Sequence, residues 1–298
     1  MSLVINHNLM AMNAARNLST AYGALGTSVS RLSSGLRINS AADDAAGLGV
    51  RELMRGSITA LNQGVRNAND AISMIQTADG ALGVVDEKLI RMKELAEQGA
   101  TGTYTSTQRL IINSEYQAMA SEITRIANAT DFNGIYLLNG NLSGATHNGT
   151  GMTSTGKLKV HFGSGNDSRN DYYYIQIGTS TASALGVGDS ARNAQGVGNS
   201  ISTQALAQQS LNILQNAIVS KDNIRANLGA LQNRLENTIS NLQIQSENLQ
   251  AAESRISDVD VSTEMTEFVR QQIKSQAAVA MLAQANSLPR MAMQLLGG

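Results

Sequence analysis

The chain has 298 residues, of which 42% are hydrophobic and only 3% aromatic, and its 22 basic and 23 acidic residues leave a net charge of −1. These interspersed charges form no basic stripe, which argues against nucleic-acid binding, and the absence of cysteine excludes disulfides and thiolate metal sites. Because aromatic rings line most small-molecule pockets, the aliphatic composition favours a packing protein over one that binds a small ligand.

Targeting signals of the ordinary kinds are not visible. The first residues lack the basic start and long apolar run of a cleavable signal peptide. The longest candidate span, 277–283, has seven apolar residues, whereas crossing a bilayer takes about 20. We therefore expect no membrane insertion and, if the protein leaves the cell, export by another route.

Residues 1–40 have the pattern of one amphipathic helix that ends near Gly35. Large apolar residues recur there in steps of four and three, which keeps one apolar seam on a helix that winds around a partner. This predicted assembly seam consists of Leu18, Tyr22, Leu25, Val29, Leu32 and Leu36.

Two more helices are predicted in the first half of the chain. The first runs over about 44–98, with Asp43 and Asp44 favourable at its start and Gly99 and Gly102 at its end. Its apolar positions lie seven apart, at Leu61, Ala68, Ile75, Leu82, Leu89 and Ala96. The second has its apolar face at Ile112, Tyr116, Met119, Ile123 and Ile126, and the turn residues 131–134 close it.

Residues 139–200 are rich in Gly, Ser, Thr and Asn and contain two stretches of alternating polarity. Apolar residues alternate with polar ones over 157–162 and again over 172–177, and a period of two predicts strands. The segment 163–171 between them suits a hairpin loop.

Helical periodicity returns near Leu211 and continues to about 254, followed by a last helix over about 263–295. A second predicted assembly seam has its members seven apart, at Leu228, Leu235, Leu242, Leu249 and Ile256. Seams near both ends imply that the two terminal arms lie together with the middle looped out between them. The sequence thus predicts a mainly α fold of long antiparallel, coiled-coil helices from both ends and a small central β-hairpin region. Each arm alone buries too little surface to offset its ordering entropy, so we expect both to be mobile in a monomer.

Candidate catalytic and metal sites are weak. Residues 151–157 match most of a phosphate-binding loop, but Leu158 replaces the Ser or Thr that holds magnesium. The acidic residues Asp258 and Asp260 lack the glycine and distal glutamate of a calcium loop and are better explained as helix caps. The three histidines, His7, His147 and His161, lie in different regions. We therefore expect no enzyme activity, cofactor or metal, and nucleotide binding through Lys157 is the test of the opposing hypothesis.

Both ends of the chain resemble bacterial flagellin. The segments that carry the resemblance are Ile5-Asn6 with Leu9, the runs 31–39 and 41–48, the turn 131–134, the run 252–260, the run 281–286 and Pro289. The resemblance covers roughly 1–140 and 200–298, and these segments follow the family's order. The resemblance implies a minimal flagellin without large outer domains.

The resemblance also implies how the chain works. Family members are exported unfolded by the flagellar type III apparatus with a chaperone, and they polymerise beneath a cap, next to hook-associated junction proteins, into a hollow extracellular filament. Residues 1–43 and 258–298 would pair as the inner tube layer, and 44–139 with 201–257 would form the helical core domain. Residues 140–200 would be a variable hairpin insert packed on that core. A hook–filament junction protein remains the nearest alternative, and it would be far less abundant than a filament protein.

Some family members are recognised by the innate-immune flagellin receptor, Toll-like receptor 5. On the resemblance, Arg91, Leu95 and Glu115 match the recognised residues, whereas Ile90 and Lys93 depart from them. The alternative is that these residues form a solvated or subunit-facing helix surface.

Overall fold

Five helices and two small hairpins make up the computed structural model, which describes residues 8–144, 156–188 and 197–296. The helices are α1 (Leu9–Ser34), α2 (Ala45–Ala100), α3 (Ser106–Ala129), α4 (Gln204–Ser257) and α5 (Val261–Leu296). The strands pair antiparallel, β1 (Asp131–Phe132) with β2 (Ile135–Tyr136) and β3 (Leu158–His161) with β4 (Tyr172–Ile175). The predicted fold class, mainly α with a small central β-hairpin region, is confirmed.

The chain divides into two compact units. The terminal unit comprises residues 1–58 and 247–298, and the core unit comprises residues 59–246. Because α2 and α4 each run through a unit boundary, the chain changes unit within two continuous helices. In the terminal unit, α1 packs along α5, so the two arms lie together as predicted, although the second predicted seam lies on α4 and not on α5.

Local sequence signals explain where the helices start and stop. Asn8 caps α1 by accepting a hydrogen bond from the amide of Ala11 at 3.0 Å, and Gly35 ends the helix with a positive φ of 73° that glycine adopts without strain. Asp44 accepts from the amide of Gly47 at 2.9 Å and so caps α2, which agrees with the acidic start predicted there. These caps satisfy backbone groups that have no partner inside a helix.

The end of α2 and the turn after α3 are also fixed by side chains. Arg109 donates to the carbonyls of Gly99 and Thr101, at 3.1 and 2.9 Å, so a residue of α3 caps the preceding helix. The β1–β2 turn has φ values of 52° at Asn133 and 80° at Gly134, which two-residue hairpins of the primed type require.

The core unit buries the predicted inner face of α2. All six residues of the seven-residue repeat from Leu61 to Ala96 are at most 6% exposed. Leu89 and Ala96 share one apolar cluster with Tyr116 and Ile123 of α3 and Leu214 of α4. The heptad prediction for this helix is confirmed, because its large apolar residues do face the core.

The β3–β4 hairpin packs on the helices of the core unit. Asn67 of α2 donates to the carbonyl of His161 at 2.8 Å, and the guanidinium of Arg234 in α4 lies 3.6 Å from the ring centroid of Tyr173. A Cβ at Gly64 would come within 1.9 Å of the carbonyl oxygen of Phe162. Glycine at this position therefore permits the close approach of α2 to the end of the hairpin.

Candidate functional site

The interface between α1 and α5 is the first candidate site. Its inner face recurs in steps of four and three on both helices, and most of its members are small or polar. They are Ala14, Leu18, Ala21, Leu25, Ser28 and Leu32 on α1, and Glu264, Phe268, Gln271, Ser275, Ala278, Leu282 and Ala285 on α5, all buried or half-buried. Small side chains let two helix backbones approach closely.

The structure divides the predicted seam of α1 between two faces. Leu18, Leu25, Leu32 and Leu36 are half-buried, whereas Tyr22 and Val29 are 53% and 48% exposed. Adjacent residues on a helix lie about 100° apart, so Ala21 and Ser28, each one position earlier, occupy the inner face instead. A sequence pattern based on large apolar residues misses a face built from small ones.

Polar contacts join the two terminal helices and the segments next to them at several positions along their length. The side chain of Asn8 donates to the carbonyl of Ala285 at 2.8 Å, and Arg31 lies 3.7 Å from the nearly buried carboxylate of Glu264. Where α1 ends and α5 begins, the amide of Arg37 donates to the carbonyl of Ser257 at 2.6 Å. The amide of Val259 donates in return to the carbonyl of Gly35 at 3.0 Å.

Large apolar side chains cover the outer surface of the terminal unit. The large apolar residues of α1 and α5 that are at least 44% exposed are Leu9, Met10, Met12, Tyr22, Val29, Val261, Met265, Val269, Ile273, Val279, Met281 and Met291. Exposed large apolar side chains that recur along both helices are typical of an interaction face. The terminal unit therefore has an inner seam closed within the chain and an outer apolar surface that is open.

The second predicted seam is largely occupied within one chain. Leu228, Leu235 and Leu242 are 1%, 1% and 6% exposed and pack in the core unit, while Leu249 and Ile256 are half-buried in the terminal unit. The three buried leucines stabilise the core unit and offer no surface to a second chain.

The predicted receptor patch is only partly at the surface. The guanidinium of Arg91 donates to Glu115 at 2.8 and 3.0 Å and to Glu94 at 2.9 Å, and both Arg91 and Glu115 are about half exposed. The hydrogen bond to Glu115, assisted by that to Glu94, raises the pKa of Arg91 above its ordinary value. The two charges thus form a linked, accessible pair across α2 and α3.

Leu95, in contrast, is 1% exposed and belongs to the apolar core. The resemblance implied that Leu95 is a recognised residue together with Arg91 and Glu115, and this expectation is wrong for Leu95 because its side chain is not at the surface. Four residues advance a helix by one turn plus about 40°, and this offset carries position 95 across the boundary into the buried face. Ile90 is exposed, and Lys93 donates to Gln215 of α4 at 2.8 Å.

Polar contacts between helices of the core unit have no signal in the sequence pattern. The side chain of Lys221 is 2% exposed, and its ammonium lies 2.6 Å from Asp86 and 2.7 Å from Asp222. Arg225 binds both oxygens of Asp79, and this hydrogen bonding lowers the pKa of the Asp79 carboxyl. The pairs Lys221–Asp86 and Arg225–Asp79 join α4 to α2, and only knowledge of which helices are neighbours could have revealed them.

The candidate chemical motifs gain no support. Among the described residues, no group of His, Cys, Asp and Glu is placed to hold a metal. Asp260 caps α5 through Ser262 and Thr263, which lowers the pKa of its carboxyl, as the cap explanation predicted. His161 stacks on Tyr172. The predictions for His7, His147 and 151–155 fall outside the described residues.

Within 8–144, 156–188 and 197–296, no helix combines the length and apolar character that crossing a bilayer requires.

Comparison with known proteins gives matches at both ends of the chain. The family profile of the bacterial flagellin N-terminal helical region matches residues 5–143, and that of the C-terminal helical region matches residues 211–296. The flagellar filament 33 kDa core protein of Treponema phagedenis is 41% identical over 298 residues, covering 99% of this chain and 100% of the relative. The flagellin of Halalkalibacterium halodurans is 42% identical over 294 residues, with the same coverage.

Solved structures resemble the chain as well. The crystal structure of Bacillus cereus flagellin is 27% identical, covers 63% of this chain and 94% of its own, and gives a TM-score of 0.47. A structure assigned to a flagellar hook-associated protein of Vibrio parahaemolyticus gives a TM-score of 0.54 at 16% identity, covering 72% of this chain and 100% of its own. At that identity the likeness concerns the fold alone.

Proposed function

Because this chain belongs to the bacterial flagellin family, we propose that it polymerises through its paired terminal helices into a hollow filament. The chain is a structural subunit of the flagellar filament and not an enzyme. The proposal concerns how it assembles, with which partners, and which surfaces it uses.

One observation carries the proposal: the outer surface of the α1–α5 pair is apolar and open. Leaving side chains such as Tyr22, Val29, Val269 and Ile273 in water forfeits roughly 25 cal/mol for each Å² of apolar surface that a neighbour could cover. Packing many copies side by side removes this surface at every subunit. We assign residues 1–43 and 258–298 to the inner tube layer and residues 44–139 and 201–257 to a surrounding core layer. Residues 140–200 form an insert on that layer.

Export partners follow from the same proposal. The inner seam of the terminal pair consists mostly of Ala, Ser, Gln and Glu, so it buries little apolar surface and is inexpensive to separate. A chain of this kind suits passage in unfolded form through the flagellar export apparatus with a flagellin chaperone. Outside the cell it would add beneath the filament cap, above the hook-associated junction proteins.

Protease protection tests the assembly proposal directly. In dilute monomer, residues 1–40 and 260–298 are expected to be cleaved first, because little surface outside their narrow mutual seam holds them. In filaments formed by the same chain, both segments are expected to resist cleavage. Limited proteolysis followed by mass spectrometry, before and after polymerisation, measures the difference.

Equal protection of the arms in both states would contradict this proposal. Filament formation itself is checked by electron microscopy of the purified chain. The junction alternative predicts a few copies in a sheared surface preparation, whereas a filament subunit dominates it. The chain's relatives at about 40% identity include flagellins and filament core proteins, which supports the filament assignment. A nucleotide-dependent enzyme would bind nucleotide, and we expect no such binding.

A second proposal is recognition of the monomer by Toll-like receptor 5. The supporting observation is the exposed pair of Arg91 and Glu115, which offers donors and acceptors side by side on α2 and α3. Leu95 takes no part in it, because its side chain is in the core. Ile90 and Ile111, both exposed, supply apolar contacts close to the pair in sequence.

Replacing Arg91 and Glu115 together by Ala is expected to weaken receptor binding at least about tenfold, as loss of a central charged contact does. The matched control is Glu122→Ala with Arg125→Ala, which removes an ion pair within α3 and should leave binding unchanged. Binding of monomer to the receptor ectodomain is measured by surface plasmon resonance. Unchanged binding of the first variant, with circular dichroism like that of the wild type, would rule out this patch.

A further inference from the structure

The single proline of the chain interrupts the hydrogen bonding of α5 at a defined place. Pro289 lies inside the helix and has no backbone N–H. The carbonyl of Ala285, four residues earlier, therefore lacks the donor that helix geometry would otherwise supply. Ala285 is only 7% exposed, and a buried carbonyl without a donor carries a penalty in free energy.

Asn8 supplies the missing donor from the other end of the chain. Its side-chain Nδ2 donates to the Ala285 carbonyl at 2.8 Å, while its Oδ1 accepts from the Ala11 amide at 3.0 Å. One neighbour can only donate and the other can only accept, so a single orientation of the amide satisfies both. Asn8 thus caps α1 and completes α5 at the same time.

We propose that Asn8 is a positioning residue that fixes the register of α1 along α5 by filling the vacancy that Pro289 creates. The seam between the helices needs such a residue because it is narrow and repetitive. Its small side chains at regular seven-residue spacing pack nearly as well after a shift along the axis. A polar contact at one defined position specifies register in paired helices.

The vacancy makes this contact selective. Carbonyls further from the ends of a regular α-helix already accept from the amide four residues on, so they offer a displaced Asn8 less than Ala285 does. A slip by one helical turn, about 5.4 Å, would leave the Ala285 carbonyl unpaired and the Asn8 amide without its best acceptor. The ion pair of Arg31 and Glu264, at 3.7 Å, would open in the same slip.

The consequence for assembly rests on the proposed filament function. If each subunit presents both terminal helices to its neighbours, the outer apolar surfaces match only when α1 and α5 have one mutual register. A subunit with slipped arms would add less tightly. Loss of the register contact should therefore raise the critical concentration for polymerisation.

A double-mutant cycle on the full chain tests the proposal. Asn8→Asp keeps an oxygen that caps α1 but removes the donor, and Pro289→Ala restores an N–H that can reach the Ala285 carbonyl. Loss of one such hydrogen bond changes an equilibrium about fivefold. We expect Asn8→Asp to raise the critical concentration about fivefold with Pro289 present and less than about twofold in the Pro289→Ala chain.

Asn8→Ser provides the matched control for charge, because serine also caps helices but cannot reach Ala285. It should reproduce the pattern of Asn8→Asp in both backgrounds. Sedimentation of polymer from monomer gives each critical concentration. If the Asn8 variants have equal effects with and without Pro289, Asn8 only caps α1 and does not set the register. If they have no effect in either background, the register contact is refuted.

Failure of the proposed function would look different. If the wild-type chain forms no filaments, the filament proposal is wrong, and the same cycle is read in the monomer from the thermal midpoint of the terminal helices by circular dichroism. A midpoint lowered by Asn8→Ser only when Pro289 is present would still support the contact. A midpoint lowered equally in both backgrounds would refute it.

Discussion

Leu25→Asp is expected to abolish filament formation while the core unit stays folded. Leu25 is half-buried on the inner face of α1, among the few large side chains of that seam. A carboxylate there would lie against α5 without a partner, and burying an unpaired charge costs several kcal/mol. In a filament this cost recurs in every subunit, so it acts on each addition step.

Two matched variants separate the causes. Leu25→Asn introduces a side chain of nearly the same shape as Asp but without its charge. It should raise the critical concentration without abolishing assembly. Ser33→Asp adds the same charge at an exposed position of α1 and should allow filaments to form. Electron microscopy and sedimentation follow assembly, and circular dichroism follows the helices of the core unit. Normal filaments from Leu25→Asp would be decisive evidence against the α1–α5 seam as part of the packed layer.

The second large effect is expected at the buried ammonium of Lys221. Asp86→Asn removes the carboxylate that lies 2.6 Å from this ammonium. The Lys221 side chain, which is 2% exposed, then keeps only Asp222 as a carboxylate partner, and Asp222 is mostly exposed. Breaking one side of a buried ion pair costs about 3 kcal/mol. Lys221→Met, which fills the same space without a charge, should change the free energy of unfolding by less than about 1 kcal/mol.

Asp222→Asn is the control for this experiment, since Asp222 contacts the same ammonium at 2.7 Å but its side chain is 58% exposed. Its effect should be small, because exposed ion pairs contribute little. Urea unfolding of the full-chain monomer, followed by circular dichroism, gives the free energies. If Lys221→Met destabilises the chain as much as Asp86→Asn does, the ion pair itself is stabilising and the explanation by an uncompensated charge is wrong.

The long helices and the strands were predictable because the spacing of large apolar residues along the sequence indicates which face of an element is buried. The repeat from Leu61 to Ala96 faces the core as predicted, and the alternating stretches 157–162 and 172–177 contain β3 and β4. In each case the period of the apolar residues matches the period of the backbone, so the buried face can be identified without knowing the rest of the fold.

The surfaces were less predictable because they depend on which elements are neighbours. The seam of α1 uses Ala21 and Ser28 in place of Tyr22 and Val29, and no hydrophobic pattern identifies a buried serine. The contacts Asn8–Ala285 and Lys221–Asp86 join residues 277 and 135 positions apart. Only the three-dimensional arrangement brings such pairs together, and the same holds for the exclusion of Leu95 from the surface.

The bonds between the two connecting segments of the terminal unit have a further consequence. Leu36 and Asp258 form a β-bridge, flanked by bonds between Arg37 and Ser257 and between Val259 and Gly35. The point where α1 gives way to irregular chain is thus tied to the point where α5 starts. Bending at one connection strains the other, so both arms are expected to change direction together. A subunit that must adapt to neighbours on a curved surface would do so by one coordinated adjustment instead of two independent ones.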